Sequence, residues 1–287
     1  PLYSSAASDV YKRQVELNIS VWPAAKIDRE ITSQVNASAS AHKDASQTKK
    51  NLFAGTSLRA DIEKFAARVR LYNNQHTLPW ADKGERMLPT KLFMDYKQTM
   101  NGYERTFNML CDNFFDEYER LVEEAKVNLG SMYKAEDYPD LTNVRTKFSF
   151  RRSVKPLPEA GDFRLDIPAH DLEEMRSAYE VQYSEKLADA MRTPWERLHE
   201  VLLGMSKKLE DVGDGKKRFH DSLISNPLEL CELLTKLNVT NDPKLEDARR
   251  QVELAMLGAD IEEVKDSPVV RENLKSKVDA ILGKFEW

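Results

Sequence analysis

The chain has 287 residues, 41% hydrophobic and 32% charged, with a formal net charge of -5. That length buries roughly 75% of the unfolded surface, enough for one large core or two smaller ones without staples. The mild acidity excludes whole-surface attraction to nucleic acid or anionic lipid, so a polyanion site has to be a local patch. Cys111 and Cys231 belong to no Cys-x-x-Cys or Cys/His cluster, which argues for two buried, reduced thiols over a disulfide framework or a zinc site. No apolar run approaches the roughly 18 residues of a membrane span, and none reads as a signal-peptide core.

At the N-terminus, Asp9-Val10-Tyr11-Lys12-Arg13-Gln14 follows a Ser/Ala run and looks like the translation of a sequencing-library transposon end. Residues 1 to 14 are therefore expected to be foreign to the fold, as in a metagenomic reading frame, with natural sequence from about Val15. Val15, Leu17, Ile19 and Val21 alternate with Glu16, Asn18 and Ser20, the period of a strand with one buried face. Thr32 to Lys50 lacks periodicity and bulk and reads as a loop. Leu58, Ile62, Phe65, Val69 and Tyr72 then recur at helical spacing after a Thr56-Ser57 start signal, and a Pro/Gly-punctuated connection follows, His76 to Pro89.

Two long amphipathic helices dominate the rest. The first, about Lys91 to Tyr133, carries Tyr96, Met100, Tyr103, Phe107, Phe114 and Leu121 near one seam, and at ~1.5 Å per residue it would be about 60 Å long. The second, about Ala169 to Asp211, carries Leu172, Met175, Tyr179, Tyr183 and Leu187, then Leu198, Leu202, Met205 and Leu209. Within it Thr193-Pro194-Trp195-Glu196 has the form of a helix start, so a kink or restart is expected there. Two such helices joined by a short segment predict an antiparallel helical hairpin with a coiled-coil-like seam.

The joining segment predicts a β-hairpin. Val144, Thr146, Phe148 and Phe150 alternate with Arg145, Lys147, Ser149 and Arg151, and beyond a turn at Pro156 to Gly161, Phe163, Leu165 and Ile167 alternate with Arg164 and Asp166. With Val15–Val21 it would form an antiparallel sheet of about three strands. Its solvent face would hold Arg145, Lys147, Arg151 and Arg164, with Arg152 and Lys155 nearby, and these six are the candidate nucleic-acid-binding residues. Charged residues on an exposed sheet also serve solubility and block edge-to-edge pairing. Phe148 and Phe150 sit opposite the arginines, so a base-stacking platform is missing. The charged tip, Arg151 to Lys155 with Glu159, excludes a membrane-inserting tongue.

Other chemical signals are fragmentary. Glu196-x-x-His199 has no second copy, as a carboxylate-bridged metal site requires. His42, His76, His170 and His220 are scattered, without a nucleophile. Gly213-Asp214-Gly215-Lys216-Lys217 is only part of a phosphate loop and reads as a helix stop followed by a basic start. The C-terminal third predicts shorter helices at about 216 to 224, 227 to 237, 243 to 257 and 268 to 284, three of them opened by Asn226-Pro227, Asp242-Pro243 and Ser267-Pro268.

The runs Leu78-Pro79-Trp80-Ala81-Asp82-Lys83-Gly84, Asp137-Tyr138-Pro139, Phe148-Ser149-Phe150, Ala160 to Arg164, Pro194-Trp195-Glu196-Arg197-Leu198 and Leu237 to Pro243 resemble an uncharacterised protein family encoded by tailed phages and prophages. The resemblance covers about Val15 to Arg250. It implies no activity, cofactor or catalytic residue. It does imply a bacterial cytoplasm during infection and, from gene neighbours of such proteins, partnership with a MoxR-type ATPase or a von Willebrand factor A-type protein.

The expected fold is mainly α, with minor β. One helical domain would span 15–258, with a loop at 32–50 and a loosely attached helical extension at 259–287. The expected function is that of a non-enzymatic phage accessory protein, an interaction or assembly module whose partner is a protein, itself or an ATPase-type machine, with no cofactor, no metal and no membrane. The alternatives are a nucleic-acid-associated protein that uses the basic hairpin face, and an enzyme.

Overall fold

The computed structural model describes residues 12–81, 84–157, 169–210 and 219–285. The fold is mainly α with minor β. In chain order the elements are β1 (Lys12–Ser20), β2 (Ala25–Ile27), α1 (Arg29–Ser38), β3 (Lys49–Asn51), α2 (Leu58–His76), β4 (Leu78–Pro79), β5 (Arg86–Pro89), α3 (Thr90–Asp116) and α4 (Tyr118–Leu129). They continue with α5 (Leu141–Arg145), β6 (Ser149–Pro156), α6 (Ala169–Leu209), α7 (Ser222–Leu237), α8 (Pro243–Met256), α9 (Ile261–Asp266) and α10 (Pro268–Lys284). The chain divides into two compact units, one of residues 1–16, 74–94 and 154–287 and the other of residues 17–73 and 95–153.

Among the described residues the main sheet has four strands in the order β4–β5–β1–β6, where about three are expected. Two of them, β4 and β5, come from the segment read as a connection. Leu78 faces Met87 in the β4–β5 pair, and Leu78, Met87 and Leu88 are fully buried. Pro79 and Pro89 close these strands at their ends, where a missing N–H costs no ladder bond, and this punctuation hides the alternation in the sequence. Strand β1 begins at Lys12, inside the segment expected to be foreign, and pairs antiparallel with β5 through Lys12–Val15.

The expected first hairpin strand is partly helical. Asp140 Oδ1 accepts from Asn143 N at 2.9 Å and starts α5, so Val144 and Arg145 are helical, and Thr146 and Lys147 form the turn before β6. A good N-cap outweighs four alternating residues. The expected second strand, Phe163–Ile167 with Arg164, lies outside the described residues.

In the unit of residues 17–73 and 95–153, an aromatic cluster makes the core. Phe53 meets Trp22, Phe114 and Tyr138 edge-on at 5.7, 5.4 and 5.8 Å, and Phe148 packs on Phe115 at 5.4 Å. Buried Tyr96 Oη donates to Asn73 Oδ1 at 2.7 Å, joining α3 to α2. The first long helix is interrupted at Glu117, between α3 and α4, and ends at Leu129 rather than Tyr133, with a 3-10 turn at Gly130–Met132. The expected loop at 32–50 is helical up to Ser38, because Asp28 Oδ1 caps α1 by accepting from Glu30 N and Ile31 N. Its end forms β3, paired antiparallel with β2.

In the other unit, α6 runs unbroken for 41 residues with Pro194 inside it, so the expected restart does not occur. It packs on α10, α7 and β4. Leu274, Val278 and Ile281 of α10 are buried in this unit. Helix α7 starts at Ser222 and carries Pro227 in its interior; its predicted start at Asn226 is a turn too late. Asp242 and Ser267 do cap α8 and α10 as their sequence predicts.

Candidate interaction surfaces

The basic residues come from three different local structures. Arg145 ends α5 and lays its guanidinium 4.5 Å from the Phe115 ring centre, and Lys147 stands exposed in the turn. Arg151 and Lys155 are exposed on β6, four residues apart and so on one face. Arg152, on the opposite face, donates to Asn101 Oδ1 at 2.7 Å. Arg145 and Lys147 are thus not on the strand that carries Arg151, Arg152 and Lys155, and Arg164 lies outside the described residues.

Helix α6 offers a different surface. From residue 190 onward its inward positions, Ala190, Met191, Leu198, Leu202, Met205 and Leu209, are all buried. Ser206 Oγ donates to Asp279 Oδ1 of α10 at 2.5 Å, and Trp195 Nε1 donates to Asp242 Oδ2 at 3.1 Å. Over residues 170–189 none of the described side chains is buried, although Leu172, Met175, Tyr179, Tyr183 and Leu187 continue the seam. Met175 is 38% exposed and Val181 55% exposed. Tyr183 meets the Trp80 ring edge-on at 5.3 Å and stacks with Tyr179 at 6.3 Å. The result is a half-covered aromatic and aliphatic stripe flanked by Glu173, Glu180 and Lys186.

Two surface cavities gather no reactive set. One, about 220 Å³, is lined by Thr90, Lys91, Lys236, Asn238 and Asn241. The other, about 560 Å³, runs along α1 past Ile27, Arg29, Thr32, Asn36, Lys43 and Gln47, a mixed polar and apolar lining with no nucleophile beside a base. Among the described residues no three His, Cys, Asp or Glu side chains gather as a metal site, and no helix is long and apolar enough to cross a membrane. Burial pushes the thiols of Cys111 and Cys231 up to about 12, away from nucleophilic character.

One charged cluster is buried, and sequence reasoning missed it. Lys50 on β3 is 3% exposed; its Nζ donates to Met132 O at 2.6 Å and lies 2.8 Å from Asp137 Oδ2 and 4.0 Å from Asp28 Oδ2. The 2.8 Å contact satisfies the distance of an ion pair but not the angles of a hydrogen bond, since Asp137 Oδ2 is buried with no hydrogen-bond partner. The Asp28 capping pattern, which was legible, would have placed the start of α1; nothing local marks Lys50 as buried.

Arg197 and Arg86 form a second joint. Arg197 donates to Asn74 O at 2.5 Å and Gln75 O at 2.8 Å, and Arg86 to Thr77 O at 3.0 Å, so both close the C-terminal end of α2. Burial, together with the charge of Arg86, pushes Arg197 down to about 10, and the negative end of the helix dipole offsets the cost of holding two cations together. Other contacts of this kind are Trp80 against Tyr183, Trp195 on Asp242, and Tyr138 Oη donating to Leu52 O at 2.8 Å. No family model, curated protein or solved structure matches the chain.

Proposed function

We propose that this protein is a non-enzymatic accessory protein of a tailed phage or prophage, working in the bacterial cytoplasm as an interaction or assembly module. The partner would be a protein: a second copy of this chain, or an ATPase-type machine. The observation that carries this reading is the half-covered stripe of α6 over residues 170–189, which continues a packing seam beyond the point where the seam is filled. An apolar stripe rimmed by charge on a long, stiff helix suits a partner helix. The test is a comparison in phage-infected cells of the wild-type chain with a variant carrying Met175→Glu and Leu187→Glu. The wild type is expected to retain a defined set of proteins that the variant loses while folding normally. Equal capture by both would remove the stripe from the account.

A second reading has its own observation: Arg145, Lys147, Arg151 and Lys155 are all exposed. If they neutralise phosphates, affinity for single- or double-stranded nucleic acid falls steeply with added salt, and charge reversal at Arg145 and Arg151 abolishes binding. Unchanged binding after reversal would end that reading.

A further inference from the structure

The Lys50 cluster has the parts of an amide-forming site. Lys50 and Asp137 lie far apart in sequence, yet Nζ sits 2.8 Å from Asp137 Oδ2, with the two side chains 3% and 12% exposed. A second carboxylate, Asp28, is 5% exposed and turns Oδ2 toward the amine at 4.0 Å, while its Oδ1 is held by Glu30 N and Ile31 N. The amine hydrogen-bonds to Met132 O but meets Asp137 without hydrogen-bond angles, so it is not held along a lone pair of the carboxylate it touches. An ammonium and a carboxylate stripped of water are costly to bury, and an amide joining the same two groups carries no charge. Holding an amine against a carboxyl in a water-excluded site removes much of the entropic cost of bringing the two together.

We propose that Lys50 and Asp137 join spontaneously as an intramolecular isopeptide bond, with Asp28 as the proton relay. The amine of Lys50 attacks Cγ of the protonated Asp137, and the Nζ–Cγ bond forms. Asp28 carboxylate takes the surplus proton from nitrogen and delivers it to the departing hydroxyl. The Cγ–O bond breaks, one water leaves, and Asp28 returns to its starting form. No oxidant, metal or cofactor enters the balance. The product ties β3 to the turn before α5 and replaces a buried ion pair with a neutral amide. This inference does not depend on the α6 surface.

The experiment is intact-mass spectrometry of the full chain, followed by proteolysis and fragment sequencing. The expected result is a mass lower by one water and a branched fragment joining Lys50 to Asp137. Lys50→Arg restores the full sequence mass. Asp137→Asn still closes the bond, losing ammonia instead of water. Asp28→Asn, which keeps the helix cap, slows closure at least tenfold. A wild-type chain at its full sequence mass overturns the proposal, even if every variant fails to fold. So does a loss of water that maps to ring closure within Asp137 itself, with Lys50 open to amine labelling after denaturation.

Discussion

The two halves of α6 are built from similar residues but differ in surroundings. Both carry large apolar side chains at helical spacing. In residues 190–209 these are buried and tied down by the Trp195–Asp242 and Ser206–Asp279 hydrogen bonds. In residues 170–189 they are at most half-buried. Helical periodicity therefore identifies a face that can be covered, while the neighbouring elements decide whether it is. Stability should concentrate in the second half, leaving the first for binding.

The largest expected contrast is between equivalent truncations. Leu202→Ala empties a fully buried site and should cost about 2–5 kcal/mol in urea denaturation, whereas Met175→Ala should cost less than about 1 kcal/mol. Similar costs at the two sites would dissolve the distinction. Next, Trp195→Phe keeps an aromatic ring but removes the donor to Asp242, with an expected loss of at least about 1 kcal/mol in the same measurement.

The smallest effect is acidic. Hydrogen bonding from Arg249, at 2.7 Å, holds the Glu246 carboxyl of α8 down to about 2, below its ordinary 4.5. Between these values the unfolded chain binds a proton that the folded chain does not, so stability falls as pH drops from about 4.5 toward 2. Glu246→Gln should flatten that part of the stability profile. An unchanged slope would mean that the Glu246–Arg249 pair within α8 does not contribute to stability.

Legibility follows the same division between local and distant causes. The long helices, the caps at Asp242 and Ser267 and the helix from Leu58 are local patterns, and all are present. The errors arose where one local rule met a stronger one or a distant partner. Asp140 turned Val144 and Arg145 into helix, and β4 and β5 are held by pairing that Pro79 and Pro89 conceal. Pro194 reads as a helix start, yet the helix continues through it. The basic residues were correctly seen as surface charges at Arg145, Lys147, Arg151 and Lys155, but their common strand was an inference from alternation alone. Burial of Lys50 depends on Asp137, which no local pattern could link to it.

The central claim, that residues 170–189 of α6 receive a partner, is tested most directly by a photo-reactive amino acid at position 175 in phage-infected cells. Position 127 serves as the control, because Val127 is 83% exposed and lies outside the stripe. The account predicts a discrete cross-linked protein from position 175 and none from position 127. No product at 175, or the same products at both positions, would contradict it.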